Sequence, residues 1–160
     1  MGYLFDTNIF IRSKNEMPAD VWPTFWTRIA ELIRDGKINS IDKVKEEIER
    51  GNDELTKWMK DNTGKQFYIP LNEEILQKYA QLQNWAQTSI VYKESAKNDF
   101  ATVADAYLVA TAAANNLTIV TYETSDPYCK RRVKIPDACN VVGVRCCDLN
   151  TVLRESGVTI

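Results

Sequence analysis

The chain of 160 residues contains no histidine. This absence excludes Ser-His-Asp and Cys-His nucleophile systems unless another base replaces the imidazole. Hydrolysis would then depend on carboxylates, lysine, tyrosine or a bound metal. The four cysteines, Cys129, Cys139, Cys146 and Cys147, also lack a histidine partner and form no C-x-x-C pair. We therefore expect neither a zinc site nor a disulfide framework, which fits a reducing cytoplasm.

Long apolar runs and linkers are missing as well. No stretch reaches the length of a membrane span, and the first residues do not follow the pattern of a signal peptide. We expect a cytoplasmic protein without membrane contact. No repeat or Pro/Gly/Ser-rich tract divides the sequence, so residues 1–160 are predicted to form one domain. The net charge of −2 does not indicate a nucleic-acid binder through its overall field.

Short apolar segments alternate with segments of helical period along the chain. Strands are predicted at residues 3–5, 37–41, 67–70, 117–123 and 143–149. Helices are predicted at residues 21–35, 42–51, 54–61, 72–85, 103–116 and 149–156. Residues 88–102 have the weakest pattern and fit a loop, a short helix or both. This alternation favours an α/β fold with a mainly parallel sheet flanked by helices.

Three acids lie where a ligand site is expected in such a fold. Asp6 follows the strand "YLF", Glu123 ends the segment "LTIVTYE", and Asp105 begins the alanine-rich helix. Ligands of open α/β sheets bind outside the carboxyl ends of the strands. Two of these acids also have a plain structural interpretation: Asp6 as a helix N-cap, and Asp105 as an acid that interacts favourably with a helix dipole.

The surroundings of these acids favour a metal site. We expect no lysine or arginine partner beside them, so three converging carboxylates would repel one another or require a cation. Ligands that are all oxygen select a hard ion, and Mg²⁺ or Mn²⁺ is the physical expectation. Such an ion polarises a phosphate and activates a water molecule.

The segments "YLFDTNIFI", "SIDKVKEEI", "ADAYLVATA" and "TIVTYE", in this order, resemble the PIN-domain ribonucleases, which include VapC-type toxins. The resemblance covers about residues 3–155 and implies a three-layer α/β fold that hydrolyses RNA with a metal ion. It places the family's four acids at Asp6, Glu47, Asp105 and Glu123. The first, third and fourth would hold the metal, and Glu47 would complete the cluster. It also implies a dimer and, for a toxin, an antitoxin protein as partner.

Two positions leave alternatives open. Glu46 competes with Glu47 for the helical acid, and Glu49 is a weaker candidate. Glu123 stands where the family usually has aspartate, so Asp126 is the alternative fourth acid. The stretch of residues 53–101 is also longer than in small toxins. The sequence is therefore also compatible with two other functions. One is a related nuclease that cuts DNA or flap structures, and the other is a catalytically silent scaffold that binds RNA or a protein.

Basic and hydroxyl side chains surround these acids in the sequence. The segment "CKRRVK" contains Lys130, Arg131, Arg132 and Lys134. We expect these residues, with Arg12 and Lys14, to bind phosphates of RNA without reading its bases. The alternative for the segment is a solvated loop. Three further side chains are predicted to orient ligands or waters: Thr7, Asn8 and Thr121.

Overall fold

Five short segments form one parallel sheet in the computed structural model, which describes residues 2–160. The strands are β1 (Tyr3–Phe5), β2 (Ile38–Ile41), β3 (Tyr68–Ile69), β4 (Thr118–Val120) and β5 (Cys146–Cys147). Their order is β3-β2-β1-β4-β5, and every pairing is parallel. The predicted parallel sheet with flanking helices is thereby confirmed.

The helices form two groups that pack against this sheet. They are α1 (Thr7–Glu16), α2 (Pro23–Arg34), α3 (Asp42–Gly51), α4 (Glu54–Asn62), α5 (Glu73–Thr88), α6 (Glu94–Thr102), α7 (Ala104–Asn115), α8 (Ile135–Val142) and α9 (Leu149–Glu155). Helices α1 to α4 contact one another, and α5 to α8 form the second group. Helix α7 contacts both β2 and β4. The result is the expected three-layer α/β fold, and no helix within residues 2–160 is long and apolar enough to cross a membrane.

Local chemistry explains several helix ends. The side chain of Asn72 caps α5 by accepting a hydrogen bond from the amide of Ile75 (2.9 Å). Asn116 caps the end of α7, and its φ of 54° lies in the left-handed region that asparagine tolerates. Asp148 caps α9 by accepting from the amide of Thr151.

The structure differs from the sequence predictions near β4 and β5. The predicted strands at residues 117–123 and 143–149 were too long, because ladder pairing covers only Thr118–Val120 and Cys146–Cys147. Helix α8 was not predicted: it begins at Ile135 with Pro136 in its first turn, and Gly143, with a φ of 69°, caps its end. The uncertain stretch of residues 88–102 contains helix α6. Glu123 therefore lies in a loop, residues 121–134, that joins β4 to α8.

The strand order sets the place of the candidate site. Strand β1 lies in the middle of the sheet, and the chain moves from it first to β2 and later to β4 on its other side. This reversal of strand order creates a crevice beyond the carboxyl ends of β1 and β4. The amide of Asp6 donates to the carbonyl of Val120 (3.1 Å), so the ends of the two strands are directly linked.

Candidate functional site

Asp6 is a buried carboxylate at the end of β1. Its residue is only 4% exposed. It occupies the N-cap position of α1, but its side chain makes no capping hydrogen bond. Instead, Oδ2 accepts a hydrogen bond from the hydroxyl of Thr121 (3.1 Å), just beyond β4. The position agrees with the N-cap interpretation, whereas the side chain is turned toward the crevice.

The electrostatics of Asp6 show which other acids lie near it. Burial, followed by the charges of Asp105 and Glu123, raises the pKa of Asp6 from 3.8 to about 7. The charge of Glu47 raises this pKa further, while the hydrogen bond from Thr121 lowers it. The four predicted acids therefore lie close enough to repel one another, and we call them the acidic cluster.

Arg132 corrects one expectation about this cluster. We expected no lysine or arginine beside the acids, but Nη2 of Arg132 lies 3.1 Å from Oδ2 of Asp105 and 3.1 Å from Oε2 of Glu123. This places Arg132, predicted to bind substrate phosphate, within ion pairs of the cluster. Burial is the largest cause that raises the pKa of Glu123, followed by the charge of Asp105, while the charge of Arg132 lowers it.

Thr121 and the start of α8 hold the fourth acid in place. The amide of Glu123 donates to the hydroxyl oxygen of Thr121 (3.1 Å), so this hydroxyl contacts both Glu123 and Asp6. The amide of Ile135 donates to Oε1 of Glu123 (3.4 Å). Asp126, the alternative fourth acid, is exposed and accepts a hydrogen bond from the amide of Tyr128. The structure therefore brings Glu123, and not Asp126, to the cluster.

Glu47 is the glutamate of α3 that reaches the crevice. Its Oε2 accepts a short hydrogen bond from the hydroxyl of Thr7 (2.6 Å). Glu46 is exposed, and Glu49 is exposed with an ion pair of 3.9 Å to Lys45. The placement thus agrees with Glu47 as the helical acid.

The remaining basic residues lie in α1 and in the loop of residues 121–134. Lys130 and Arg131 are exposed on this loop. Arg12 forms an ion pair with Glu16 (2.8 Å), and its guanidinium lies 4.3 Å from the centre of the Tyr122 ring. Lys14 and Asn8 do not join the acids: Lys14 binds Asp53 at 2.6 Å, and Asn8 is exposed.

Two cavities flank the acids. One of about 280 Å³ is lined by Asp105, Arg131 and Arg132 together with apolar side chains that include Phe100 and Val133. The other, of about 510 Å³, is lined by Tyr122 and Glu123 and by residues of β5. A chain-like substrate would have space on both sides of the cluster.

The whole described chain matches one known family model. Residues 3–160 match the model described as "Domain of unknown function (DUF4411)". The chain belongs to the DUF4411 family. No curated protein matches it. The family description carries no activity, so the chemistry of this DUF4411 protein must be argued from its own residues.

The acids of the DUF4411 chain are not arranged to hold an ion as they stand. Within residues 2–160, no group of three or more Asp, Glu, Cys or His side chains has the geometry of a metal site. Nη2 of Arg132 lies between two of the carboxylates at hydrogen-bond distance. The four carboxylates are nevertheless oxygen donors of the kind that Mg²⁺ and Mn²⁺ prefer.

The ion pairs of Arg132 were the functional feature that sequence reasoning missed. The sequence predicted a strand through residue 123 and did not predict helix α8. It therefore did not indicate that the chain returns toward α7 after this strand. A signal was nevertheless present: Pro136 follows the basic segment closely and is typical of a helix start. A helix there would have turned the basic loop back toward Glu123.

Proposed function

We propose that this DUF4411 protein is an endoribonuclease that hydrolyses RNA phosphodiester bonds with Mg²⁺ or Mn²⁺. The observation that carries the proposal is the buried carboxylate of Asp6 beside three further acids at the carboxyl ends of β1 and β4. Such a cluster costs folding free energy. Strongly shifted carboxyl groups in a cleft are typical of functional sites.

Three acids are assigned to the metal and one to the water. Asp6, Asp105 and Glu123 would hold the ion, and Glu47 would orient the attacking water or a second ion. A bound ion would supply Lewis-acid activation of the phosphate and a water nucleophile at neutral pH. The absence of histidine agrees with this assignment, since carboxylates are then the bases at hand.

Hydroxyl groups and cations complete the proposed site. Thr121 positions Asp6 and Glu123, and Thr7 positions Glu47. Lys130, Arg131 and Arg12 would contact substrate phosphates, which holds RNA without reading its sequence. The resemblance to VapC-type toxins leads us to propose, in addition, a toxin that forms a homodimer and binds an antitoxin in the cytoplasm.

Metal binding and RNA cleavage test the proposal together. Calorimetry with Mn²⁺ and Mg²⁺ should show binding to the wild type, and Glu47→Gln should lower the rate of RNA cleavage. Glu46→Gln is the matched control, because it lies next to Glu47 but points to solvent. Cleavage of a labelled single-stranded RNA should depend on the ion. If neither ion binds the wild type, the nuclease proposal fails at its first step.

A second candidate function has a specific observation in its favour. The ion pairs of Arg132 offset part of the negative charge of two acids without a metal. A catalytically silent scaffold that binds RNA would gain stability from this arrangement. Such a scaffold should bind RNA equally well with and without EDTA and should cleave no RNA in Mn²⁺.

A further inference from the structure

We infer that Arg132 is an internal cation that competes with the metal for Asp105 and Glu123 and then turns to a substrate phosphate. The inference rests on the proposed function, because it assumes that the acidic cluster binds a divalent ion. It assigns one side chain two positions, one between the acids and one in the neighbouring cavity.

The contact geometry supports the first position. A single nitrogen, Nη2 of Arg132, bridges the two carboxylates at 3.1 Å each. This positively charged group lies between one oxygen of Asp105 and one oxygen of Glu123, where a metal ion bound to both carboxylates would also lie. Because the guanidinium and an ion cannot occupy the same space, binding of the ion requires Arg132 to leave.

Arg132 is the mobile partner of this contact. The side chain of Arg132 is 49% exposed, whereas those of Asp105 and Glu123 are 15% and 10% exposed. Arg132 lies in the loop of residues 121–134, so its displacement breaks no helix or sheet hydrogen bond. The next residue, Val133, is buried and anchors the loop. The side chain can therefore swing while the backbone stays.

Charge balance favours exchange of the arginine for a divalent ion. The other two acids of the cluster are Asp6 and Glu47. Their negative charges add to those of Asp105 and Glu123, which pair with Arg132. One guanidinium carries a single positive charge and meets its acids at 3.1 Å. A divalent ion carries twice the charge at a shorter distance, which strengthens the attraction.

The neighbouring cavity supports the second position. Arg131 and Arg132 line the cavity of about 280 Å³ beside Asp105. A displaced guanidinium would meet a phosphate there, and arginine binds phosphate through paired hydrogen bonds. The phosphate of a polynucleotide lying across the cluster is thus the ligand that fits the released side chain.

Metal affinity tests the inference. It is measured at pH 8, where few protons compete with the metal ion for the carboxylates. Arg132→Gln should bind Mn²⁺ about tenfold more tightly than the wild type in calorimetry, equivalent to about 1.4 kcal/mol. Without metal it should melt at a lower temperature, since the acids lose their cation. Arg131→Gln, the matched control, should equal the wild type in both measurements. Arg132→Lys keeps the charge and should remain close to the wild type.

The outcomes separate the two proposals. Equal Mn²⁺ affinity of all four proteins would overturn the role of Arg132 and leave the nuclease proposal standing. No binding by the wild type or by Arg132→Gln would remove both. In RNA cleavage, a raised KM with little change in kcat for Arg132→Gln supports the phosphate contact, whereas an unchanged KM contradicts it. Circular dichroism of each variant establishes that the fold is retained.

A pair of thiols carries a second, independent inference. Sγ of Cys146 in β5 lies 3.0 Å from Sγ of Cys139 in α8. All four cysteines of the chain are free thiols. We propose that Cys139 and Cys146 form an oxidation site that a hydroperoxide converts into a disulfide.

The chemistry balances with hydrogen peroxide as oxidant. The Cys146 thiolate attacks one peroxide oxygen and becomes a sulfenic acid with release of water. The Cys139 thiol then attacks that sulfur and displaces a second water, so two electrons and two protons leave the thiols. The hydrogen bond between the two thiols lowers the pKa of Cys146, while burial opposes this. Cys146 is half-buried and Cys139 is buried, which assigns the first attack to Cys146.

Peptide mapping tests the disulfide directly. Native protein is treated with hydrogen peroxide, alkylated and digested with trypsin without reduction. We expect residues 135–145 linked to residues 146–154, and the same product from Cys129→Ser and Cys147→Ser. Cys139→Ser should abolish it. A bond between Cys146 and Cys147, or no bond in the native protein, would overturn the proposal.

Discussion

The carboxylates beside the two ends of strand β1 have pKa values that are shifted in opposite directions. At its start, the hydroxyl of Tyr3 donates to Glu155 (2.7 Å), and Arg145 donates to both oxygens of that carboxylate (3.1 and 2.8 Å). These hydrogen bonds, led by the one from Arg145, lower the pKa of Glu155. At its end, burial and neighbouring acids raise the pKa of Asp6 to about 7.

The difference lies in the ratio of acids to cations. Glu155 accepts hydrogen bonds from one arginine and one tyrosine, as expected of a structural ion pair. Within residues 2–160, the four acids of the cluster have ion pairs with one arginine, Arg132. Folding gains from the first arrangement and loses from the second. An excess of buried negative charge is therefore where a function for this chain is best sought.

The largest expected effect concerns cleavage. Asp6→Asn and Asp105→Asn should each lower the rate of metal-dependent RNA cleavage by at least about 100-fold, because loss of even indirect metal contacts costs 10- to 100-fold. Glu155→Gln, the control from the other end of β1, should cleave at the wild-type rate. Initial rates of cleavage of a labelled RNA in Mn²⁺ measure these losses. Equal losses in all three variants would contradict the difference in function between the two ends of β1.

Stability without metal should respond to Asp6→Asn in a pH-dependent way. The folded-state pKa of Asp6 is raised from 3.8 to about 7, so the native state binds more protons than the unfolded state between these values. Wild-type stability attributable to Asp6 is thus present below about pH 4 and lost as pH rises to 7. Asp6→Asn should gain about 1–4 kcal/mol over the wild type at pH 8. Urea unfolding at pH 8 and 4.5 measures the gain, which should shrink at the lower pH.

The opposite sign is expected at the other end of the strand. The folded-state pKa of Glu155 is lowered, so its stabilisation is present above its ordinary pKa and is lost as pH falls through the folded-state value. Glu155→Gln should therefore lower the melting temperature at pH 8 and have less effect in acid. A stabilising Glu155→Gln would contradict the structural role of this ion pair.

A smaller effect is expected from the exposed cations of the loop. Replacement of Lys130 and Arg131 by glutamine should leave Mn²⁺ affinity unchanged and weaken RNA binding for all sequences. The slope of log affinity against log salt should fall by roughly 0.7 for each phosphate that the variant no longer neutralises. Filter binding of single-stranded RNA at several salt concentrations measures the slope. Unchanged binding at low salt would identify this segment as a solvated loop.

Metal affinity separates Glu123 from Asp126. Glu123→Gln should weaken Mn²⁺ binding, whereas Asp126→Asn should leave it nearly unchanged, because Asp126 is exposed and bonded to the amide of Tyr128. Calorimetry of the two variants measures the difference. The reverse order would mean that the loop rearranges to present Asp126 when the ion binds.

Local patterns predicted the sheet and the positions of the acids. Apolar strands and striped helices indicate the parallel fold, and in that fold the carboxyl ends of β1 and β4 must meet, which brings Asp6 toward Glu123. The pair between Tyr3 and Glu155 was not predictable in this way, because its residues are 152 positions apart and no strand pattern joins them. The contacts of Arg132 were missed because they depend on the path of a loop.

The short length of β4 has a consequence for how this site varies between proteins. Asp6 and Asp105 belong to the ends of a central strand and a packed helix, whereas Glu123 and Arg132 belong to residues 121–134, outside any strand or helix. One acid of the cluster, together with the arginine that pairs with it, therefore lies on a loop, while the other acids lie in or beside a strand or a helix. Insertions or substitutions in that loop change the charge facing Asp6 while the sheet keeps its register. Relatives that share this sheet are expected to differ in the charge of this site chiefly through the loop.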